Sequence, residues 1–258
     1  TSMKTLSRLL QSIACLWLVV GFSSPAFGGV IINSYRFTSG GGGTTDPSFA
    51  SVVLLLHGNG ADQSTTFTDS SAGARTISQF GNSELDTAEY KYGAASIKFD
   101  GAGDYISAPS STDWDFGTGD FTVETWVRFN AFPASSATLI GNYPGTWAFQ
   151  YRPDSGNKIT WYNGGAVYSA ALSLSTGTWY HFAICRSGTS LRIFVDGVQS
   201  GSTATDSTNY NSTNSLTIGE LRAFGQNING WLDDIRITKG VARYTSNFTP
   251  PAAQFPDS

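Results

Sequence analysis

Phe121-Thr122-Val123-Glu124-Thr125-Trp126-Val127-Arg128-Phe129 alternates with a period of two. Phe121, Val123, Thr125, Val127 and Phe129 fall on one side of an extended chain, and Thr122, Glu124, Trp126 and Arg128 on the other. A helix would scatter both sets around its circumference, so the stretch reads as a β-strand with one core face. Downstream, Trp179–Arg186 and Leu191–Val195 repeat the pattern around the turn Ser187-Gly188-Thr189-Ser190, and Asp196-Gly197 turns the chain again. Asp-Gly between alternating apolar residues is a strong hairpin signal. Leu216–Gly219 and Trp231–Thr238 form a last strand pair. Upstream, Val52-Val53-Leu54-Leu55-Leu56 is an apolar run of strand length, and another strand begins at Ser96-Ile97-Lys98-Phe99. No stretch after residue 30 carries a helical period. Many short strands without intervening helices predict an all-β sandwich or barrel.

Composition agrees. Of 258 residues, 14% are aromatic and only 13% charged, about half the usual charged share. Branched and aromatic side chains suit a pleated surface, and the 29 glycines supply turns. The net charge of −4 argues against a phosphate-tracking surface, so nucleic acid is excluded as a partner.

The chain divides into four parts. Residues 1–28 read as a signal peptide or hydrophobic N-terminal segment: Lys4 and Arg8 precede an apolar run from Leu9 to Phe22, then the small residues Ala26 and Gly28. The run is too short for a comfortable membrane span, so no stable span is expected after its removal. Residues 29–47 hold the strand-like Val30–Phe37 and a linker with four glycines, Gly40 to Gly43. The globular domain is expected over 48–250, with an exposed tail from Asn247 onward and residues 251–258 as its C-terminal end. A secreted, extracellular or cell-surface location follows. Cys185, beyond the signal, has no partner for an internal disulfide and reads as a small core residue.

Three ordered stretches carry a family resemblance: Gly93–Gly101 running on through Asp104-Tyr105-Ile106 to Val127; Trp179-Tyr180-His181-Phe182-Ala183 with Leu191–Gly197; and Ile218-Gly219 with Gly230–Ile237. Together they resemble the laminin G-like domains of the concanavalin A-like jelly-roll family across roughly residues 50–250. The resemblance implies two antiparallel sheets, a ligand on the concave face or at the loop rim, and in many members a calcium ion. Val30–Phe37 with its Gly-rich linker also resembles the N-terminal regions of phage structural proteins. That resemblance implies the alternative of a structural subunit in a virion or extracellular filament.

Catalysis finds little support. Glycosidases generally need two carboxylates flanking the bond. The glucanases of this fold carry Glu-x-Asp-x-x-Glu on one strand, and none of Glu84, Glu89, Glu124 or Glu220 sits in that arrangement. His57 and His181 have no motif context, and His181 reads as a core histidine. The expectation is therefore a protein that is not an enzyme, with a glycan-active hydrolase as the remote alternative.

Two candidate sites remain. Alternation in Trp231–Thr238 puts Trp231, Asp233, Ile235 and Ile237 on one face and Leu232, Asp234 and Arg236 on the other. If the first is the core, Asp233 is an inward carboxylate that must be paired or coordinated. Asp233, Asp69 and Asp234 are thus the candidate ligands for one structural calcium ion, weighed against hydrogen bonding to loop amides. The second site is a sugar-binding surface over Asn142–Gly165. There Tyr143, Trp147, Tyr151, Trp161 and Tyr162 offer stacking planes and Arg152 a polar contact. The expected partner is a glycan or a protein surface, with self-association into an oligomer or assembly left open.

Overall fold

The computed structural model describes residues 45–142, 147–221 and 225–258. The segments read as a signal and as the strand Val30–Phe37 lie outside the described residues. Contacts set off Gly43–Ser258 as one compact unit.

Among the described residues the strands run, in chain order, as β1 (Val52–Leu56), β2 (Ser78–Phe80), β3 (Glu84–Asp86), β4 (Ser96–Asp100), β5 (Tyr105–Ala108), β6 (Phe121–Ala131), β7 (Ala137–Asn142) and β8 (Trp147–Arg152). They continue as β9 (Lys158–Tyr162), β10 (Ala166–Tyr168), β11 (Trp179–Ser187), β12 (Ser190–Val195), β13 (Val198–Gln199), β14 (Ala204–Thr205), β15 (Leu216–Ile218) and β16 (Asn229–Lys239). One sheet has nine strands along the path β13-β12-β11-β6-β16-β4-β3, with β1 added beside β16 and β14 beside β12. The other has seven, in the order β10-β9-β8-β7-β15-β5-β2. The pairings are antiparallel throughout. This is the two-sheet antiparallel sandwich that the strand pattern and the resemblance implied.

The core lies between the sheets. Phe121, Val123, Val127 and Phe129 of β6 point into it, as their alternation requires, against Phe149, Trp161, Ile218 and Leu216 of the opposite sheet. The Asp196-Gly197 turn has positive φ at both residues (48° and 76°), the primed-turn geometry that suits a twisted hairpin.

The outer face of the nine-stranded sheet is closed to solvent over β1, β11 and β12, because the C-terminal segment crosses it there. The Phe248 N–H donates to the Gly197 carbonyl (2.8 Å), and the Tyr92 hydroxyl donates to the Pro251 carbonyl (2.5 Å). Phe255 is buried against Val52 and Leu55, with the Arg236 guanidinium 3.7 Å from its ring centre. His57 joins the same layer: its Nδ1 lies 2.6 Å from Asp234 and its Nε2 2.7 Å from Asp257. Burial pushes the His57 pKa down, but the two carboxylates more than offset this and raise it. The expectation of an exposed tail from Asn247 onward is thus corrected. An exposed segment loses nothing by leaving the surface, whereas this one would strip Phe255 and Phe248 of their apolar contacts.

Candidate functional site

Strand alternation sorts the sugar-binding candidates into two layers. In β8, Trp147, Phe149 and Tyr151 face the core and Ala148, Gln150 and Arg152 face outward. In β9, Ile159 and Trp161 face the core and Lys158, Thr160 and Tyr162 outward. Trp147, Tyr151 and Trp161 are therefore corrected: they are 2%, 1% and 0% exposed and offer no face to a ligand. Trp147 stacks on Trp161 with ring centres 4.9 Å apart, and Phe116 beside Trp147 and Phe121 beside Trp161 stack on each other at 4.5 Å, closing a four-ring cluster. Their polar atoms are spoken for. The Trp147 Nε1–H donates to the Trp114 carbonyl (3.1 Å), the Trp161 Nε1–H to the Tyr210 hydroxyl (2.7 Å), and the Tyr151 hydroxyl to Asn157 (3.1 Å). Aromatic density in the sequence marked the core wall here, because large rings also fill the space between sheets. Tyr143 lies outside the described residues.

Arg152 and Tyr162 do reach the outer face, and the structure adds neighbours that sequence reading missed. Register pairs Arg152 with Lys158, Gln150 with Thr160, Ala148 with Tyr162, Thr160 with Tyr168 and Tyr162 with Ala166. Directly paired residues share a face, so three rows form, about 7 Å apart. The first holds Arg152 and Lys158; the second Gln150, Thr160 and Tyr168; the third Ala148, Tyr162 and Ala166. Tyr162 is 43% exposed and Tyr168 37%. The Lys158 ammonium sits 5.3 Å from the Tyr168 ring centre. Arg152 makes a forked pair with Asp154 (3.0 and 2.9 Å), which raises its own pKa and lowers that of Asp154. Gln150 donates to Gln226 (2.6 Å) and Thr138 (3.2 Å). The Thr160 hydroxyl is buried in the middle row with no hydrogen-bond partner among the described residues. The signal that would have found Lys158, Thr160 and Tyr168 is the register of β8, β9 and β10, which no single strand reveals.

A concavity lies at the loop rim. A groove of about 310 Å³ runs between Gly101, Phe132, Ser135, Ser136, Asn227 and Asn229. It meets a cleft of about 120 Å³ that includes Asp100, Asn130 and Trp231, and Asn229 lines both.

The aspartates do not assemble as expected. β16 carries a bulge between Asp233 and Arg236, with Asp234 at φ 47°. The extra residue breaks the alternation, so Leu232, Ile235 and Ile237 face the core and both carboxylates are directed to the outer layer. Asp233 accepts from the Lys91 and Tyr92 N–H groups (2.7 and 3.0 Å) through one oxygen, while the other has no partner among the described residues. Burial, opposed by these amides and reinforced by the charge of Asp234, pushes its pKa up to about 7. Asp234 is held by His57 and accepts from the Phe255 N–H (2.9 Å). Asp69 accepts from the N–H groups of Leu55, Ser71 and Arg75 and ties its loop to β1. Among the described residues no three His, Cys, Asp or Glu side chains converge as a metal-holding group.

Glu124 and His181, the other groups weighed for chemistry, lie beneath the C-terminal segment with no exposed surface. Glu124 pairs with Arg236 (2.8 Å), accepts from the Tyr244 hydroxyl (2.9 Å) and lies 3.2 Å from His181. Burial pushes its carboxyl up, yet Arg236, His181 and Arg243 outweigh burial and hold it down at about 2.

Solved structures share this architecture. The binding domain of Paraclostridial Mosquitocidal Protein 1 matches with a TM-score of 0.60 at 13% identity over 75% of this chain and 50% of its own. Domain 4 of AbnA, an extracellular arabinanase from Geobacillus stearothermophilus solved with arabinotriose, matches with 0.59 at 15% identity over 74% of this chain and 94% of its own. The binding domain of Botulinum neurotoxin DC, in complex with rat synaptotagmin II, matches with 0.56 at 15% identity over 75% and 49%. The chain thus spans about half the length of the toxin domains and nearly all of the arabinanase domain. At these identities the likeness is one of fold. No curated protein matches the chain in sequence. Among the described residues no helix is long and apolar enough to cross a membrane. The model of the concanavalin A-like lectin/glucanases superfamily matches residues 100–243, more than half of the sequence, and the chain belongs to that superfamily.

Proposed function

We propose that this chain is a non-catalytic extracellular binding module that holds a glycan on the outer face of the seven-stranded sheet, over β8, β9 and β10. The observation that carries the reading is the pair of exposed tyrosines, Tyr162 and Tyr168, on adjacent strands of one outer face. On the nine-stranded sheet the C-terminal segment covers the part over β1, β11 and β12. On the seven-stranded sheet, Tyr162 and Tyr168 reach solvent at the β9–β10 edge with Arg152 and Lys158 partly exposed beside them, while Gln150 and Thr160 between them are buried. Exposed aromatic planes next to polar groups suit a sugar, whose rings have an apolar side and a hydroxylated rim. The arabinotriose complex of the arabinanase domain supports the glycan reading. A protein partner is the second reading, supported by the synaptotagmin complex of the neurotoxin domain.

A glycan array probed with the wild-type chain, a Tyr162→Ala/Tyr168→Ala double variant and an Asn229→Ala variant tests it. The expected result is saturable glycan binding that the tyrosine variant weakens at least about tenfold and the rim variant leaves intact. Loss in the Asn229 variant alone would move the site to the rim groove. Absence of binding to every glycan would sink the glycan reading and favour a protein partner.

A further inference from the structure

On that glycan reading, the charge of the same face narrows the ligand further. The chain as a whole is acidic, with 19 Asp and Glu against 15 Lys and Arg. The row of Arg152 and Lys158 runs against this balance. It stands about 7 Å along the strands from the row of Tyr168 and about 14 Å from that of Tyr162. Lys158 leans toward the Tyr168 ring, and among the described residues it has no ion pair. Arg152 is held by one carboxylate, that of Asp154, whose side chain is 38% exposed. An exposed pair of this kind is weak and readily exchanged, and salt screens it. The buried, unpartnered hydroxyl of Thr160 lies in the row between the cations and Tyr162.

We infer that the glycan held here is acidic, bearing carboxylate or sulfate groups, with Lys158 and Arg152 receiving its charge while Tyr168 and Tyr162 stack against its rings. A sugar ring over Tyr168 places an acidic substituent within reach of the Lys158 ammonium. Arg152 has a planar donor fork that matches a carboxylate or sulfate, and the fork is engaged by Asp154. Asp154 is therefore a competitor for the same cation, and removing its charge strengthens binding.

The test compares uronic-acid oligosaccharides with the same oligosaccharides after carboxyl reduction to neutral sugars, together with sulfated and sialylated glycans, by calorimetry at low and high salt. The expected result is at least about tenfold tighter binding of the acidic members at low salt, a preference that shrinks as salt rises. Lys158→Gln is expected to remove most of that preference, and Asp154→Asn to raise affinity for the acidic members about threefold. Both positions are on the surface, so the fold should survive either change. Equal binding of acidic and neutral glycans, or an Asp154→Asn variant that binds acidic sugars more weakly, would overturn the inference and leave the glycan reading standing. Failure of all these glycans and of the array would remove both.

Discussion

Glu124 carries a charge with no exposed surface, and its neighbours decide whether that is tolerable. A buried ion is costly unless its partners are close and well aimed, and removing one member strands the others. Arg236 and Tyr244 bond to it directly, and Arg236 and Arg243 in turn hold Asp46. Glu124→Gln should destabilise the fold by about 3–5 kcal/mol at neutral pH, read from urea melts. The pH dependence follows from a carboxyl held at about 2 when folded and near its ordinary value when unfolded. The unfolded chain then binds the extra proton between those values, so stability is full above about 4.5 and drains away as pH falls toward 2. The variant should show a shallower loss across that window, and an unchanged slope would show that other carboxyls set it. Nothing in the sequence marked Glu124 as an ionic hub, since Asp46, Arg236 and Arg243 are far away along the chain.

Adjacent residues of one strand lead opposite lives, and β9 offers a direct comparison. Trp161 is sealed in the aromatic stack, whereas Tyr162, next to it, is 43% exposed. Trp161→Ala should cost about 3–5 kcal/mol by leaving a cavity between the sheets. Tyr162→Ala should change stability by less than about 0.5 kcal/mol while weakening glycan binding. Thermal melts of the two variants, run beside the array, separate packing from recognition; a large stability loss in the Tyr162 variant would place that ring in the fold's own packing. The alternation that assigns these faces was legible in β6, β11 and β12 from the sequence. In β16 it was not. The bulge at Asp233-Asp234 inserts a residue with positive φ at an aspartate, where no glycine announces it, and every side chain before it changes sides.

For the whole molecule, the C-terminal segment acts as a third layer over the nine-stranded sheet. Tyr244 and Phe248 lie over the buried group Ala183, Cys185 and Phe194, and Phe255 covers Val52 and Leu55. Under this cover burial pushes the Cys185 thiol up to about 12, so little thiolate exists to react at mild pH. A chain ending at Gly240 should therefore label at Cys185 with a thiol reagent at pH 8 at least about tenfold faster than the full chain, and melt at a lower temperature. Equal labelling rates would mean that the sheet protects the thiol without help from the segment.

The sequence by itself determined the architecture, because period-two alternation, a continuous apolar strand and an Asp-Gly turn are local properties that each residue states through its own side chain. It also determined the ordered motifs that carry the superfamily. Only the tertiary structure decided which aromatic rings are wall and which are surface. Trp147 and Tyr162 look alike as candidates in a linear reading. Their difference arises from which side of the paired strands each ring takes, set by strand register and by the sheet that packs on the inner side. The same holds for Lys158, Thr160 and Tyr168, which become neighbours only when β8, β9 and β10 pair.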